Sequence, residues 1–276
     1  MYFPKKLRIN ESIEIARLVA VAYDQFKCFE KDLKWELPEN YKLVSELFYS
    51  ANDMSQLGKA STQVEEFLKE KLKWINKKIP IGFIAESGNT LYIIFRGTKT
   101  AKEWVNNLNP SLTQHPHPEF GNVHEGFLSI YLDIRESLLD LPEIKQADNI
   151  LMGGHSLGSA FASFALIDIE IDLSKQVSAL YTFGSPRMGD NAFVQVFNEK
   201  YENKSYRIVN TADIVTTIPF PIQLGGFVGG DFTHVNTPID FTFQADDIEI
   251  NHAINTYVEA LSKHSKKSVC WFKRKP

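Results

Sequence analysis

The stretch Ile150-Leu151-Met152-Gly153-Gly154-His155-Ser156-Leu157-Gly158-Ser159-Ala160 sets a serine between two glycines, directly after an apolar run and directly before one rich in Ala, Phe and Leu. The first run predicts a buried strand ending at Met152, and Leu157 to Ile167 predicts a buried helix. A serine at so sharp a strand-to-helix turn is a nucleophile elbow: its backbone is strained, and the helix starts at once behind it. Neighbouring positions must then be tiny, a demand that Gly154 and Gly158 meet. The bare pattern G-x-S-x-G arises by chance in roughly one chain of this length in ten, so the flanking strand and helix decide the reading.

Outward from the elbow, strand and helix candidates alternate. Strands are expected at Ile81 to Ala85, Leu91 to Phe95, Asn149 to Met152, Val177 to Phe183, Tyr206 to Val209 and Asp240 to Phe243. Ser87-Gly88-Asn89 between the first two is a hairpin signal. Helices are expected at Lys102 to Leu108, Glu125 to Leu139, Leu157 to Ile167, Ala192 to Glu199 and Ala253 to Leu261. This alternation predicts an α/β fold, a mostly parallel central sheet flanked by helices. Ahead of it, Ser12 to Phe29 has a helical apolar stripe (Ile13, Ala16, Val19, Ala22, Tyr23, Phe26), and Thr62 to Trp74 reads as a second amphipathic helix. The expected organisation is a helical N-terminal extension over 1–78, a core over 79–262, and a basic, aromatic C-terminal tail over 263–276.

With 276 residues, 43% hydrophobic and 23% charged, the chain has the size and composition of one large globular domain. A net charge of -4 gives no general pull toward nucleic acid. No window of about 18 uninterrupted apolar residues is present to cross a bilayer, and Glu11 and Glu14 interrupt any signal-like run after Lys5, Lys6 and Arg8, so a cytoplasmic location is expected. Cys28 and Cys270 are too few for a disulfide framework and would be plain thiols in a reducing cytoplasm. No Cys/His cluster has ligand spacing and no Walker-type lysine follows a glycine-rich loop, so no metal and no cofactor are expected.

A serine hydroxyl needs a histidine to take its proton and a buried acid to hold that histidine. In the chain order of such elbows both follow the serine. His234, His252 and His264 are the histidines after Ser156. His264 lies in a lysine-rich stretch; His252, between an acidic loop and an apolar helix, is preferred over His234, which stands just ahead of a strand. For the acid, Asp213 follows the strand-like Arg207-Ile208-Val209-Asn210, whereas Asp190, Asp231, Asp246 and Asp247 read as turn residues. An oxyanion needs two backbone N–H donors, one from Leu157, behind the nucleophile, and one from an earlier loop. Thr98 in Phe95-Arg96-Gly97-Thr98 is the candidate for the second, the alternative being a plain strand terminus.

Phe95-Arg96-Gly97-Thr98, Glu103-Trp104, Val123-His124-Glu125-Gly126-Phe127, the elbow, Thr182-Phe183-Gly184-Ser185-Pro186-Arg187-Met188-Gly189 and Arg207-Ile208-Val209-Asn210 with Asp213 occur in this order. Together they make Ile81 to Leu261 resemble the class 3 lipases, the fungal-lipase-like branch of the α/β-hydrolases. The resemblance implies Ser156, Asp213 and His252 as a catalytic triad, Thr98 and Leu157 as the oxyanion hole, and His234 as a structural histidine. It also implies cleavage of acyl glycerol or phospholipid esters through an acyl-serine. Family members acting at lipid interfaces carry an amphipathic lid where Lys102 to Leu108 is short and polar. Some members tie the N-terminal helix to the C-terminal end, a link for which Cys28 and Cys270 are placed.

The loop holding Phe220, Ile222, Leu224 and Phe227 is too apolar for a free surface loop and reads as one wall of an acyl-binding groove. His155, beside the nucleophile, points away from it on a sharp turn and reads as a packing residue. Lys266, Lys267, Lys273, Arg274 and Lys275 beside Trp271-Phe272 suit peripheral contact with an anionic membrane, against the plainer reading of a solvated tail. Two rivals accompany the hydrolase reading: an acyltransferase using the same acyl-enzyme, and a catalytically silent scaffold for lipid or protein contacts.

Overall fold

A computed structural model describes residues 7–50, 78–98, 111–219 and 231–272, with side chains to residue 265. In chain order the helices are α1 (Ile9–Glu30), α2 (Glu125–Leu139), α3 (Pro142–Gln146), α4 (Leu157–Asp172), α5 (Asn191–Tyr201), α6 (Ile248–His252) and α7 (Ile254–Phe272). The strands are β1 (Lys42–Ser50), β2 (Lys78–Ser87), β3 (Thr90–Phe95), β4 (Leu112–Gln114), β5 (Asn122–His124), β6 (Asn149–His155), β7 (Ala179–Phe183), β8 (Ser205–Asn210) and β9 (Pro238–Phe241).

One sheet has the order β1-β2-β3-β6-β7-β8-β9. Its first two junctions are antiparallel, and the four from β3 onward are parallel. The turn at Ser87-Gly88-Asn89-Thr90 closes the β2–β3 hairpin, with Gly88 at φ 58°. β4 and β5 form a separate two-stranded ribbon.

Alternate residues of each strand feed two cores. Ile93, Phe95 and Met152 face α2, α4 and α5, whereas Tyr92, Ile94 and Leu151 face α1 and α7. Burial on both faces explains why the parallel strands read as apolar runs rather than as an alternation. α4 lies deepest: every residue from Leu157 to Ile169 is buried.

The N-terminal stretch differs from a purely helical extension, because β1 joins the sheet. Its pairing with β2 breaks register between Leu43 and Ser45 and again between Leu47 and Phe48, and Leu47 is its one buried residue. Two irregularities and the charged Lys42 and Glu46 erase the period-two signal. At the other end α7 runs through the start of the expected tail, since nothing between Lys263 and Phe272 breaks a helix. The helices expected at Thr62 to Trp74 and Lys102 to Leu108 lie outside the described residues. None of the described helices is long and apolar enough to cross a membrane.

Candidate active site

Ser156 joins β6 to α4 at φ 56° and ψ -129°, a conformation costly for a residue with a side chain. Two close approaches hold it there. A Cβ on Gly154 would lie 2.1 Å from the Gly158 carbonyl oxygen, and one on Gly158 would lie 2.5 Å from that of Arg96. The two glycines therefore let the start of α4 press against both β6 and the end of β3. The Ser156 N–H donates to the Phe183 carbonyl at 2.9 Å, which ties the turn to β7.

The same contact brings the end of β3 beside the serine. A Cβ on Gly97 would sit 2.5 Å from Ser156 Cβ. Arg96 is buried, donates from Nε to the Pro80 carbonyl at 2.9 Å and from Nη1 to the Gly97 carbonyl at 2.5 Å, and lays its guanidinium over the Phe26 ring. A trans peptide points its N–H opposite to its carbonyl, so holding the Gly97 carbonyl fixes the direction of the Thr98 N–H. Thr98 is half-buried, and Leu157 is buried at the first turn of α4.

Asp213 leaves the end of β8 and caps the short 3-10 turn at Ile214–Thr217, its Oδ1 accepting from Val215 N–H at 3.0 Å. Its Oδ2 accepts from His252 Nδ1 at 2.7 Å and from Tyr257 Oη at 2.6 Å. This fixes the His252 tautomer: Nδ1 carries the proton, and Nε2 is left as the acceptor. His252 Nε2 and Ser156 Oγ are both buried, and neither has a hydrogen-bond partner among the described residues. Gly184, at φ 57°, packs against the Asp213–His252 pair: a Cβ there would lie 2.9 Å from Asp213 Oδ2 and 3.1 Å from His252 Cε1.

The other histidines have different duties. His234 Nε2 donates to the Thr216 carbonyl at 2.5 Å, bracing the turn that follows Asp213. Burial, aided by the nearby Arg207, pushes its pKa down to about 3, so it stays neutral. His155 is buried and packs against the His252 ring, with centroids 4.4 Å apart. Asp190 and Asp247 cap α5 and α6, as turn-type acids do. Phe220, Ile222, Leu224 and Phe227 lie outside the described residues, as does the lid-like stretch from Lys102 to Leu108.

A group of metal-ligating type, His117, Asp168 and Asp172, lies away from this site. Arg135 already bridges its two carboxylates, so the group is closed as an ion network.

Residues 92–223 match the family model for lipase (class 3). Through that segment, just under half of its length, the chain is similar to the class 3 lipases. A lipase from Rhizomucor miehei is 32% identical over 183 residues, covering 63% of this chain and 50% of that protein. The chloroplastic phospholipase A1-Ialpha2 of Arabidopsis thaliana is 27% identical over 289 residues, covering 86% of this chain and 57% of its own. The chain thus spans about half the length of these curated relatives. Among solved structures, a Rhizomucor miehei triacylglyceride lipase superposes with a TM-score of 0.60 at 23% identity, over 87% of this chain and 82% of that one. At that identity the likeness is one of fold, the α/β-hydrolase fold.

Two tyrosines of the site escaped the sequence. Tyr257 lies within the expected C-terminal helix and Tyr23 on the apolar stripe of α1. A tyrosine on a core-facing stripe is a weak signal, because its hydroxyl must find a partner that only the fold reveals.

Proposed function

We propose that this protein is a serine hydrolase of carboxylic esters, cleaving acyl glycerols or phospholipids through an acyl-Ser156 intermediate. The observation that carries the reading is the 2.7 Å hydrogen bond from His252 Nδ1 to buried Asp213, which leaves the buried Nε2 as an acceptor with no partner among the described residues, as Ser156 Oγ is without one at its strained turn. His252 Nε2 takes the Ser156 proton as Oγ attacks the ester carbonyl. Asp213 stabilises the imidazolium so formed, and the N–H groups of Thr98 and Leu157 receive the oxyanion. His252 then gives its proton to the departing alcohol, and water repeats the sequence on the acyl-enzyme.

The substrate class is supported by the relatives, whose names are lipase and phospholipase A1. The apolar loop with Phe220, Ile222, Leu224 and Phe227 would wall the acyl groove, and the basic, aromatic stretch after Lys263 would meet an anionic membrane. A cytoplasmic location accords with Cys28 as a free thiol.

The test is turnover of p-nitrophenyl esters from acetate to palmitate by the wild type and Ser156→Ala. Turnover lost in the variant, with long chains preferred, supports a lipase-type site. Equal rates in both proteins would overturn the assignment.

A further inference from the structure

A buried hydrogen-bond chain links α1 to both halves of the site. The Gly97 N–H donates to Tyr23 Oη at 3.0 Å, Tyr23 Oη meets His155 Nδ1 at 2.7 Å, and His155 Nε2 meets the His252 carbonyl at 2.7 Å. The direction of each bond follows from its ends. A carbonyl can only accept, so His155 Nε2 carries the proton. In a neutral ring Nδ1 is then the acceptor, so Tyr23 must donate to it and can itself accept from Gly97. Burial, reinforced by the adjacent His252, holds the His155 pKa well below the usual histidine range, so the ring stays neutral and the polarity of the chain is fixed.

Each anchor of this chain adjoins a working group. Gly97 immediately precedes Thr98, and both of its peptides are pinned, the N–H by Tyr23 and the carbonyl by Arg96. The other anchor is the backbone of His252, whose ring is held separately by Asp213. The oxyanion donor follows β3 and the general base ends α6, and the described strut between them passes through a helix that no part of the chemistry requires.

We infer that Tyr23 is a positioning residue: through His155 it holds the oxyanion loop and the His252 backbone in register across Ser156. The inference rests on the hydrolase reading above. The N-terminal helix is then part of the catalytic machinery's frame and not only a cover for the sheet.

Tyr23→Phe keeps the ring and removes only the hydroxyl. Loss of an oxyanion donor outright costs about 10²- to 10³-fold, so loss of its alignment is expected to lower kcat about 10-fold, with KM within about twofold. Tyr92→Phe is the control, because Tyr92 Oη also ties α1 to the sheet, by donating to Glu14 at 2.9 Å, but touches neither anchor. Its kcat is expected to match wild type.

The experiment is steady-state hydrolysis of p-nitrophenyl butyrate by wild type, Tyr23→Phe, Tyr92→Phe and Ser156→Ala. Turnover lost in Ser156→Ala but retained within twofold in Tyr23→Phe overturns the strut alone, as does an equal fall in Tyr92→Phe. Turnover that survives Ser156→Ala overturns the hydrolase reading and the strut with it.

Discussion

Two buried aspartates stand at opposite ends of the α4 neighbourhood, and each is held by a histidine and a tyrosine. Asp213 accepts from His252 Nδ1 at 2.7 Å and Tyr257 Oη at 2.6 Å. Asp168, twelve residues beyond Ser156 and so roughly 18 Å along the helix, meets His117 Nε2 at 2.9 Å and accepts from Tyr131 Oη at 2.6 Å. The difference is a cation. Arg135 donates to Asp168 at 2.7 Å and also to Asp172, whereas the described hydrogen-bond partners of Asp213 carry no permanent charge.

That difference separates a structural group from one fit for chemistry. With Arg135 in place, Asp168 has a permanent cation as its ion-pair partner. On the proposed mechanism Asp213 has its charge to offer, and a proton arriving on His252 would be stabilised most at the moment Ser156 loses it. The second difference is the far nitrogen: His252 Nε2 is a buried acceptor without a partner among the described residues.

Exchange of charge for an isostere should separate the two. Asp213→Asn is expected to lower kcat about 10⁴-fold with little change in thermal stability, because the amide leaves the shape but not the tautomer. Asp168→Asn is expected to do the reverse, destabilising by about 3 kcal/mol while kcat per folded molecule stays at the wild-type value, since it leaves Arg135 partly uncompensated. Thermal melts and active-site-titrated turnover on both variants check this pair. A smaller effect is expected for Tyr257→Phe, which removes one of the donors to Asp213: a several-fold fall in kcat, read by the same assay, with Tyr131→Phe silent in it.

Acid should expose the neutral histidines on both sides of the sheet. His115, buried among Phe120, Phe164 and Phe193, has its pKa lowered to about 3, chiefly by burial and then by His117. An unfolded histidine takes its proton near 6.5, so between pH 6.5 and 3 the unfolded chain binds more protons and stability falls as pH falls. His115→Phe is expected to recover about 2 kcal/mol of that loss at pH 5, set against the pH-independent loss of the hydrogen bond that the His117 N–H donates to His115 Nδ1 at 3.1 Å. Denaturant midpoints at pH 5 and pH 8 measure it.

The sequence made the elbow and the parallel strands around it legible because their constraints are local: tiny neighbours at Gly154 and Gly158, apolar runs in β6 and α4. Asp213 was legible for the same reason, as the first acid past a strand end. β1 was not, because its register shifts twice and its charged residues face partners on other elements, Glu46 accepting from Gln25 and Trp35. Nor was the strut legible: Tyr23 and His155 are 132 residues apart, and each alone reads as a packing residue.

The account turns on Ser156 being activated through Asp213 and not through any other buried carboxylate. The most direct measurement is the rate and position of covalent labelling by a fluorophosphonate, mapped by peptide mass, in wild type, Asp168→Asn and Asp213→Asn. Labelling confined to Ser156, equally fast in wild type and Asp168→Asn and at least about 10³-fold slower in Asp213→Asn, is the predicted result. Labelling at another residue, or at equal rates in all three proteins, would contradict it.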